Sequence, residues 1–229
     1  MERMEKRIRI VIADDHPLVT EGFCSVIEQN YRDIQVVAAV GNCRDAVAEE
    51  ERLDPDVLLM DIKMPIMDGI AAVREIRRRK PEAKIIMLTT YNEKQYVQGA
   101  LDEGAAGFVL KDTPISDVVL AIRAVHKGNV IFPREVMSLI AEQGQESRTD
   151  ASTDAATNKA LSLKELECLS QREQEVLVLM SRGLTNSEIA DRLCIGDGTV
   201  RNYVHKIYDI LGVHNRTAVV LWAFEHGIR

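Results

Sequence analysis

The sequence predicts an α/β domain, a five-stranded parallel sheet doubly wound with helices, followed by a small all-α domain. Three observations carry this. Strand-like and helix-like segments alternate along residues 8–126, the pattern of a parallel sheet covered on both faces. The run Val57-Leu58-Leu59-Met60 is apolar without alternation, as in a strand buried on both sides. From residue 169 onward only helical periodicities remain, punctuated by Ser, Thr and Gly.

Taken in order, the strands are Ile8–Ala13, Ile34–Val40, Val57–Met60, Ile85–Thr89 and Phe108–Leu110. Helical patterns fall at Pro17–Gln29, Cys43–Leu53, Ile70–Lys80, Glu93–Glu103 and Ile115–His126. Lys127-Gly128-Asn129 stops the last of these, and Pro133–Gln143 reads as a further short helix with Pro at its start. Residues 144–158 contain no large apolar side chain, so they cannot offset their ordering entropy and read as a flexible tether. The domains are therefore expected at 7–128 and 165–229, joined by 129–164. Leu161–Glu167 resembles Leu169–Glu175, and the second copy is taken as the start of the C-terminal helices.

Ser170 and Glu173 form a capping box before a helix that buries Val176, Leu177 and Met180 and ends at Gly183. Thr185 caps Asn186–Leu193. A turn at Cys194–Gly198 leads to Thr199–Leu211, where Val200, Val204, Ile207 and Leu211 repeat at helical spacing. Arg201, Asn202, His205 and Lys206 are left facing outward. Two short helices, a tight turn and such a face describe a helix-turn-helix whose second helix suits the major groove, Arg reading guanine and Asn adenine. A charged outer face is more often merely solvated. The balance of residues 167–229, seven Lys/Arg against eight Asp/Glu, is also unusual for a DNA reader.

Polar residues gather at the strand ends: Asp14-Asp15, Asp61, Thr89 and Lys111. Ligands bind beyond the carboxyl ends of strands in open α/β sheets. Three carboxylates converging there require either a raised pKa or a cation. Oxygen ligands favour magnesium, and a carboxylate beside it can attack phosphorus to give an aspartyl-phosphate. Thr89 can donate to a phosphoryl oxygen and Lys111 can pair with its charge. Any one of these residues alone would read as a strand terminator, a helix cap or a solvated lysine. His16, beside Asp15, reads as a loop residue without chemistry.

Apolar content of 46% and charged content of 28% are ordinary for a globular chain. No apolar run approaches the ~20 residues of a membrane span. Met1–Arg7 is charged and leads straight into a strand, unlike a signal peptide. Cys24, Cys43, Cys168 and Cys194 follow no metal-ligand spacing and read as free buried thiols of the cytoplasm.

With these residues in place, the chain resembles the bacterial two-component response regulators of the NarL/LuxR subfamily. The resemblance rests on the strand-end residues and on three C-terminal runs, Gly183–Ala190, Gly198–Asn202 and Leu211–Thr217. It implies a flavodoxin-like receiver with strand order 2-1-3-4-5 and Asp61 as phosphoacceptor. Asp15, Asp61 and the Lys63 backbone carbonyl would hold Mg2+, with Asp14 acting through a water. Thr89 and Phe108 would be the switch pair and Lys111 the phosphate partner. The implied DNA contacts are Thr185, Thr199, Arg201, Asn202, His205 and Lys206, and the implied dimer face lies on the last helix at Val219 and Trp222. The implied partners are a sensor histidine kinase, double-stranded DNA and a second copy of the chain, with no membrane partner. Gly196 departs from the family's usual Ser or Thr cap, which costs only a few tenths of a kcal/mol. Two rival readings stand beside this one. A magnesium-dependent aspartate-nucleophile phosphatase would need an acid two residues after Asp61, where Lys63 stands. A receiver with a protein-binding adaptor domain would not retain DNA.

Overall fold

A computed structural model of the chain describes residues 7–90, 96–133, 166 and 168–228. The chain divides into two compact units, Met1–Pro133 and Arg134–Arg229. The first is a five-stranded parallel sheet in the order β2-β1-β3-β4-β5. Its strands are β1 (Ile8–Ala13), β2 (Ile34–Val40), β3 (Val57–Asp61), β4 (Ile85–Thr89) and β5 (Gly107–Leu110). The helices between and after them are α1 (Pro17–Asn30), α2 (Cys43–Leu53), α3 (Gly69–Arg79), α4 (Val97–Asp102) and α5 (Ile115–His126). Every residue of β3, β4 and β5 is buried, which is why those runs carry no polar alternation. On one face Ile10, Ile12, Leu59, Ile86 and Leu88 pack against Phe23 and Ile27 of α1 and Val118, Ile122 and Val125 of α5.

Local chemistry fixes the helix ends. Pro17 opens α1, where its missing N–H is harmless. Asn42 caps α2, accepting from Asp45 N at 2.9 Å, and Asp68 caps α3, accepting from Ala71 N at 2.7 Å. Gly69 is required for a different reason: a Cβ there would stand 2.7 Å from the Asp61 carbonyl oxygen. The first turn of α3 is thereby allowed against the end of β3, close to the pocket.

The expected elements hold, with end shifts that matter at two places. β3 runs one residue further, so Asp61 lies within the ladder, opposite Leu88. The helix expected at Glu93–Glu103 is described as Val97–Asp102, and residues 91–95 are outside the described set. The expected helix at Pro133–Gln143, the tether and the repeat at Leu161–Glu167 also lie outside it, apart from Pro133 and Leu166. At the far edge Ile131 bridges Gly107: Phe108 N donates to Ile131 O at 2.9 Å and Ile131 N to Ala106 O at 3.1 Å. This strap covers the open edge of β5. A Cβ on Gly107 would sit 2.9 Å from the Ile131 carbonyl oxygen, so the strap depends on that glycine.

The second unit contains α6 (Gln171–Ser181), α7 (Asn186–Leu193), α8 (Asp197–Leu211) and α9 (Arg216–Glu225). Capping boxes open α6 and α7, at Ser170/Glu173 and Thr185/Glu188. Val176, Leu177, Met180, Ile189, Val200, Val204, Ile207 and Val219 form its core. The expected turn at Cys194–Gly198 is shorter. Cys194 takes a left-handed conformation at φ 54 and α8 starts at Asp197, so Gly198 lies inside the helix.

Glu173 gives this unit an acid sensitivity. Its carboxylate accepts from Ser170 N at 2.7 Å, and the hydrogen bonding from Ser170, helped by Lys206, holds its pKa below the ordinary glutamate value. A depressed pKa gives stability that is present above the unfolded value and lost as pH falls through the folded one. Glu173→Gln should therefore be less stable than wild type by about 1 kcal/mol at pH 7, with the gap closing below about pH 4. Trp222, the chain's one tryptophan, lies in this unit, so its fluorescence in urea follows the unfolding. A gap that stayed constant down to pH 3 would disprove the assignment.

Candidate phosphoacceptor pocket and DNA-reading face

The sheet order sets β1 beside β3 and β3 beside β4, which gathers the strand-end residues into one pocket. Asp14 and Asp61 are 1% and 2% exposed. Lys111, just past β5, places Nζ 2.7 Å from Asp14 Oδ2 and 2.8 Å from Asp61 Oδ2. Burial pushes the Asp61 pKa up, and Asp14 adds to this, against the opposing pull of Lys111 and the Lys63 amide. Burial works against the Lys111 charge, yet its bonds to Asp14 and Asp61 outweigh that and hold its pKa above the ordinary value. Thr89 is buried, its hydroxyl donating to Thr90 O at 3.2 Å, and Lys111 N donates to Thr89 O at 2.9 Å. Lys63 N approaches Asp61 Oδ1 at 3.4 Å, and its ammonium lies 5.2 Å from the centre of the Tyr96 ring.

One residue set aside by the sequence reading belongs here. Nδ1 of His16 lies 3.1 Å from Asp14 Oδ1 and 2.8 Å from Asp15 Oδ1. Asp14, Asp15, His16 and Asp61 each offer a ligand atom, all within 4.8 Å of one another. This is a candidate metal-ligand cluster, and its carboxylate oxygens fit a hard divalent cation. The sequence signal for His16 was only its adjacency to Asp15. Ile66, in the loop after Asp61, was also missed: it is 69% exposed and sits at φ 77, a strained conformation for a β-branched residue.

Phe108 is fully buried at the centre of β5, its ring 6.2 Å from that of Phe132 on the edge strap. The cysteines correct an expectation. Cys43 is buried, and burial together with Asp68, Asp61 and Asp15 pushes its pKa up to about 12. Cys24 is half-buried, whereas Cys168 and Cys194 are exposed.

In the second unit Thr199, Arg201, Asn202, His205 and Lys206 are all exposed. They share α8 with the buried Val200, Val204, Ile207 and Leu211, so the helix presents a polar face opposite its core stripe. Lys206 Nζ lies 3.7 Å from Glu173 Oε1, and the His205 ring meets Tyr208 edge-on at 6.1 Å.

Two family models match the chain: the response regulator receiver domain over residues 10–123 and the bacterial regulatory proteins of the luxR family over residues 167–223. The transcriptional regulatory protein LnrK of Bacillus subtilis strain 168 is 35% identical over 222 residues, covering 96% of this chain and 98% of that protein. The chain belongs to the two-component response regulators. Within them it falls in the NarL/LuxR subfamily, a receiver followed by a LuxR-type helix-turn-helix. The response regulator VraR of Staphylococcus aureus NCTC 8325 is 33% identical, covering 96% of this chain and 98% of that protein. Among solved structures, RcsB of Salmonella enterica serovar Typhimurium bound to the rprA promoter with phosphomimetic BeF3− is 28% identical. It covers 94% of this chain and 97% of that one, with a TM-score of 0.51.

The response regulator is thus a phosphorylation-regulated, DNA-binding transcriptional regulator. Its receiver carries the candidate metal-ligand cluster of Asp14, Asp15, His16 and Asp61. Membership implies a cognate sensor kinase, DNA and self-association as partners. Among the described residues no helix is long and apolar enough to cross a membrane. Two expected site residues stand differently in the structure. Thr185 is buried, its hydroxyl accepting from Glu188 N at 3.2 Å and donating to Glu188 Oε2 at 2.9 Å, so it is spent on the cap. Val219 is 0% exposed within the domain's own core, so it is closed to a second copy. Trp222 is half-buried and stacks on His226 at 4.2 Å, while Phe224 is the exposed apolar residue of α9.

Proposed function

We propose that Asp61 accepts phosphate from a sensor histidine kinase in the cytoplasm, and that the phosphorylated regulator binds operator DNA as a dimer. The observation that carries this is the single ammonium of Lys111 held between two buried carboxylates, Asp14 and Asp61. Phosphate on Asp61 would add roughly −1.5 to −2 charges at that point. Lys111 then pairs with the phosphoryl group, and Thr89 donates to one of its oxygens. Asp15 and Asp61 would hold Mg2+ directly with the Lys63 carbonyl, and Asp14 through a water. There the cation would neutralise charge on the phosphoryl oxygens. Phe108, whose ring faces Phe132 on the strap, is the switch aromatic. In the second unit Thr199, Arg201, Asn202, His205 and Lys206 are the DNA-facing set, and dimer contacts on α9 come from the exposed side of Trp222 and from Phe224. The domain limits proposed are 7–128 and 165–229.

A binding titration with and without acetyl phosphate tests this reading. Genomic DNA should be retained selectively, more tightly after phosphorylation. Equal retention in both states would overturn the regulatory part, and no retention would favour a protein-binding adaptor.

Phosphate lifetime follows from Thr90, which is exposed beside Thr89. Its bulk hinders an in-line water, so Thr90→Ala should speed loss of phosphate several-fold. Unchanged or slower decay in a phosphate-release assay would reject that role.

A further inference from the structure

The strap at the edge of β5 meets the switch aromatic twice. Phe108 N donates to the Ile131 carbonyl at 2.9 Å, and the Phe108 ring lies 6.2 Å from that of Phe132. The strap alternates as a strand does. Ile131 packs against the cluster that holds Val109, Val118 and Ile122, on the α1 and α5 side of the sheet, whereas Phe132 lies beside Phe108. Met87 pairs with Phe108 and Thr89 with Leu110. Thr89 and Phe108 therefore share the opposite face, on neighbouring strands.

Three features make the strap an element with two states. It is joined to the sheet by a single bridge, with backbone bonds to Phe108 and Ala106 only, few enough to open without unfolding the receiver. Its fit depends on Gly107, where a Cβ would stand 2.9 Å from the Ile131 carbonyl oxygen and 3.4 Å from the Ile131 Cβ. Pro133, the next residue, closes the first unit, and the chain runs on from it into the second. Phosphate on Asp61 would draw the Thr89 hydroxyl away from the Thr90 carbonyl, 3.2 Å distant, toward a phosphoryl oxygen. The space it leaves lies on the face of Phe108, whose ring follows and parts from Phe132. Coupling between sites needs an element whose two arrangements the signal biases, and the strap supplies them, bonded or released.

We propose that the Ile131–Phe132 strap is a releasable sixth strand that reports the state of Asp61 to the chain leading into the DNA-binding domain, with Phe132 reading the position of Phe108. This rests on the phosphoacceptor reading above. The test is amide hydrogen exchange on the full chain, with and without acetyl phosphate and magnesium, with phosphate uptake measured on the same samples. On phosphorylation the Phe108 and Ile131 amides should exchange at least about tenfold faster, the effect of losing a hydrogen bond or two. Amides inside α5 should stay protected, which separates release of the strap from a general loosening. Gly107→Ala should exchange fast at both amides in either state, and its affinity for sonicated genomic DNA should be the same with and without phosphate. Phe132→Ala keeps the backbone bonds and should take up phosphate as wild type does, yet lose the difference in exchange and in DNA affinity between the two states. A full wild-type difference in phosphorylated Phe132→Ala overturns the proposal, even where Gly107→Ala fails to fold. So does a Gly107→Ala protein with fast exchange at both amides and an intact DNA response. If wild type takes up no phosphate, the reading of Asp61 fails and this inference falls with it; if it takes up phosphate and both amides keep their exchange rates, only this inference fails.

Discussion

Asp61→Asn is expected to abolish formation of the acyl-phosphate from acetyl phosphate and magnesium. The pocket contains other carboxylates, Asp14 and Asp15, and the expectation for Asp61 rests on its place at the end of β3. Asp61 ends β3 beside β4, with Lys63 N near one carboxylate oxygen at 3.4 Å and Lys111 Nζ 2.8 Å from the other. Asp14 is enclosed by Lys111 and His16, which leaves it a ligand or a charge partner. The substitution should also leave the receiver folded. Asn retains an acceptor for Lys111 and removes a charge that burial already presses toward protonation. Loss of labelling with an unchanged receiver unfolding transition is the expected pair of results. Acid-stable, base-labile phosphate taken up by Asp61→Asn at the wild-type rate would sink the site assignment. Labelling lost together with the fold would show that Asp61 serves structure first.

Arg201→Ala is expected to weaken operator binding by ~1–3 kcal/mol and to relax base preference at one position per half-site. That corresponds to about 5- to 150-fold in affinity. Arg201 is exposed in the N-terminal half of α8, the part of a recognition helix that meets base edges. Its weight is increased by the charge of the domain, because non-specific affinity comes from phosphate neutralisation and the balance from residue 167 on is seven basic against eight acidic side chains. A monomer should therefore hold DNA poorly, and pairing two recognition helices on half-sites about one turn apart should supply the affinity. Lys206→Ala should act differently, weakening all sequences alike and flattening the salt slope by at most about one. The ceiling comes from Glu173, 3.7 Å from the ammonium, which competes with any phosphate. Titrations across salt, with and without phosphorylation, separate the two effects. Tight monomeric binding by the unphosphorylated protein, insensitive to Arg201→Ala, would refute the recognition-helix assignment and the dimer argument together.

The sequence by itself determined the elements, their caps and the strand-end chemistry of this protein. Asp68 and Thr185 cap because a short polar side chain reaches an amide three residues on. Val57–Met60 is a buried strand because nothing in it can face water. Asp61, Thr89 and Lys111 stood out because a polar residue ending an apolar run is visible within a few positions of sequence. The tertiary structure decided what depends on partners far away in the chain. Periodicity marked α9 as apolar, but only its docking on α6 shows that Val219 is enclosed and Phe224 is not. His16 looked like a loop residue until β3, far along the chain, brought Asp61 into reach of the same cluster. The strap at Ile131 could not be read because its partner is the backbone of Ala106 and Phe108, and backbone carries no sequence signal. Arg216 hydrogen-bonds Asn186, thirty positions away, and each is unremarkable locally. A helix cap is a near-neighbour property, whereas the direction of a side-chain donor is fixed by whichever acceptor the fold brings against it, and that requires the topology to be known.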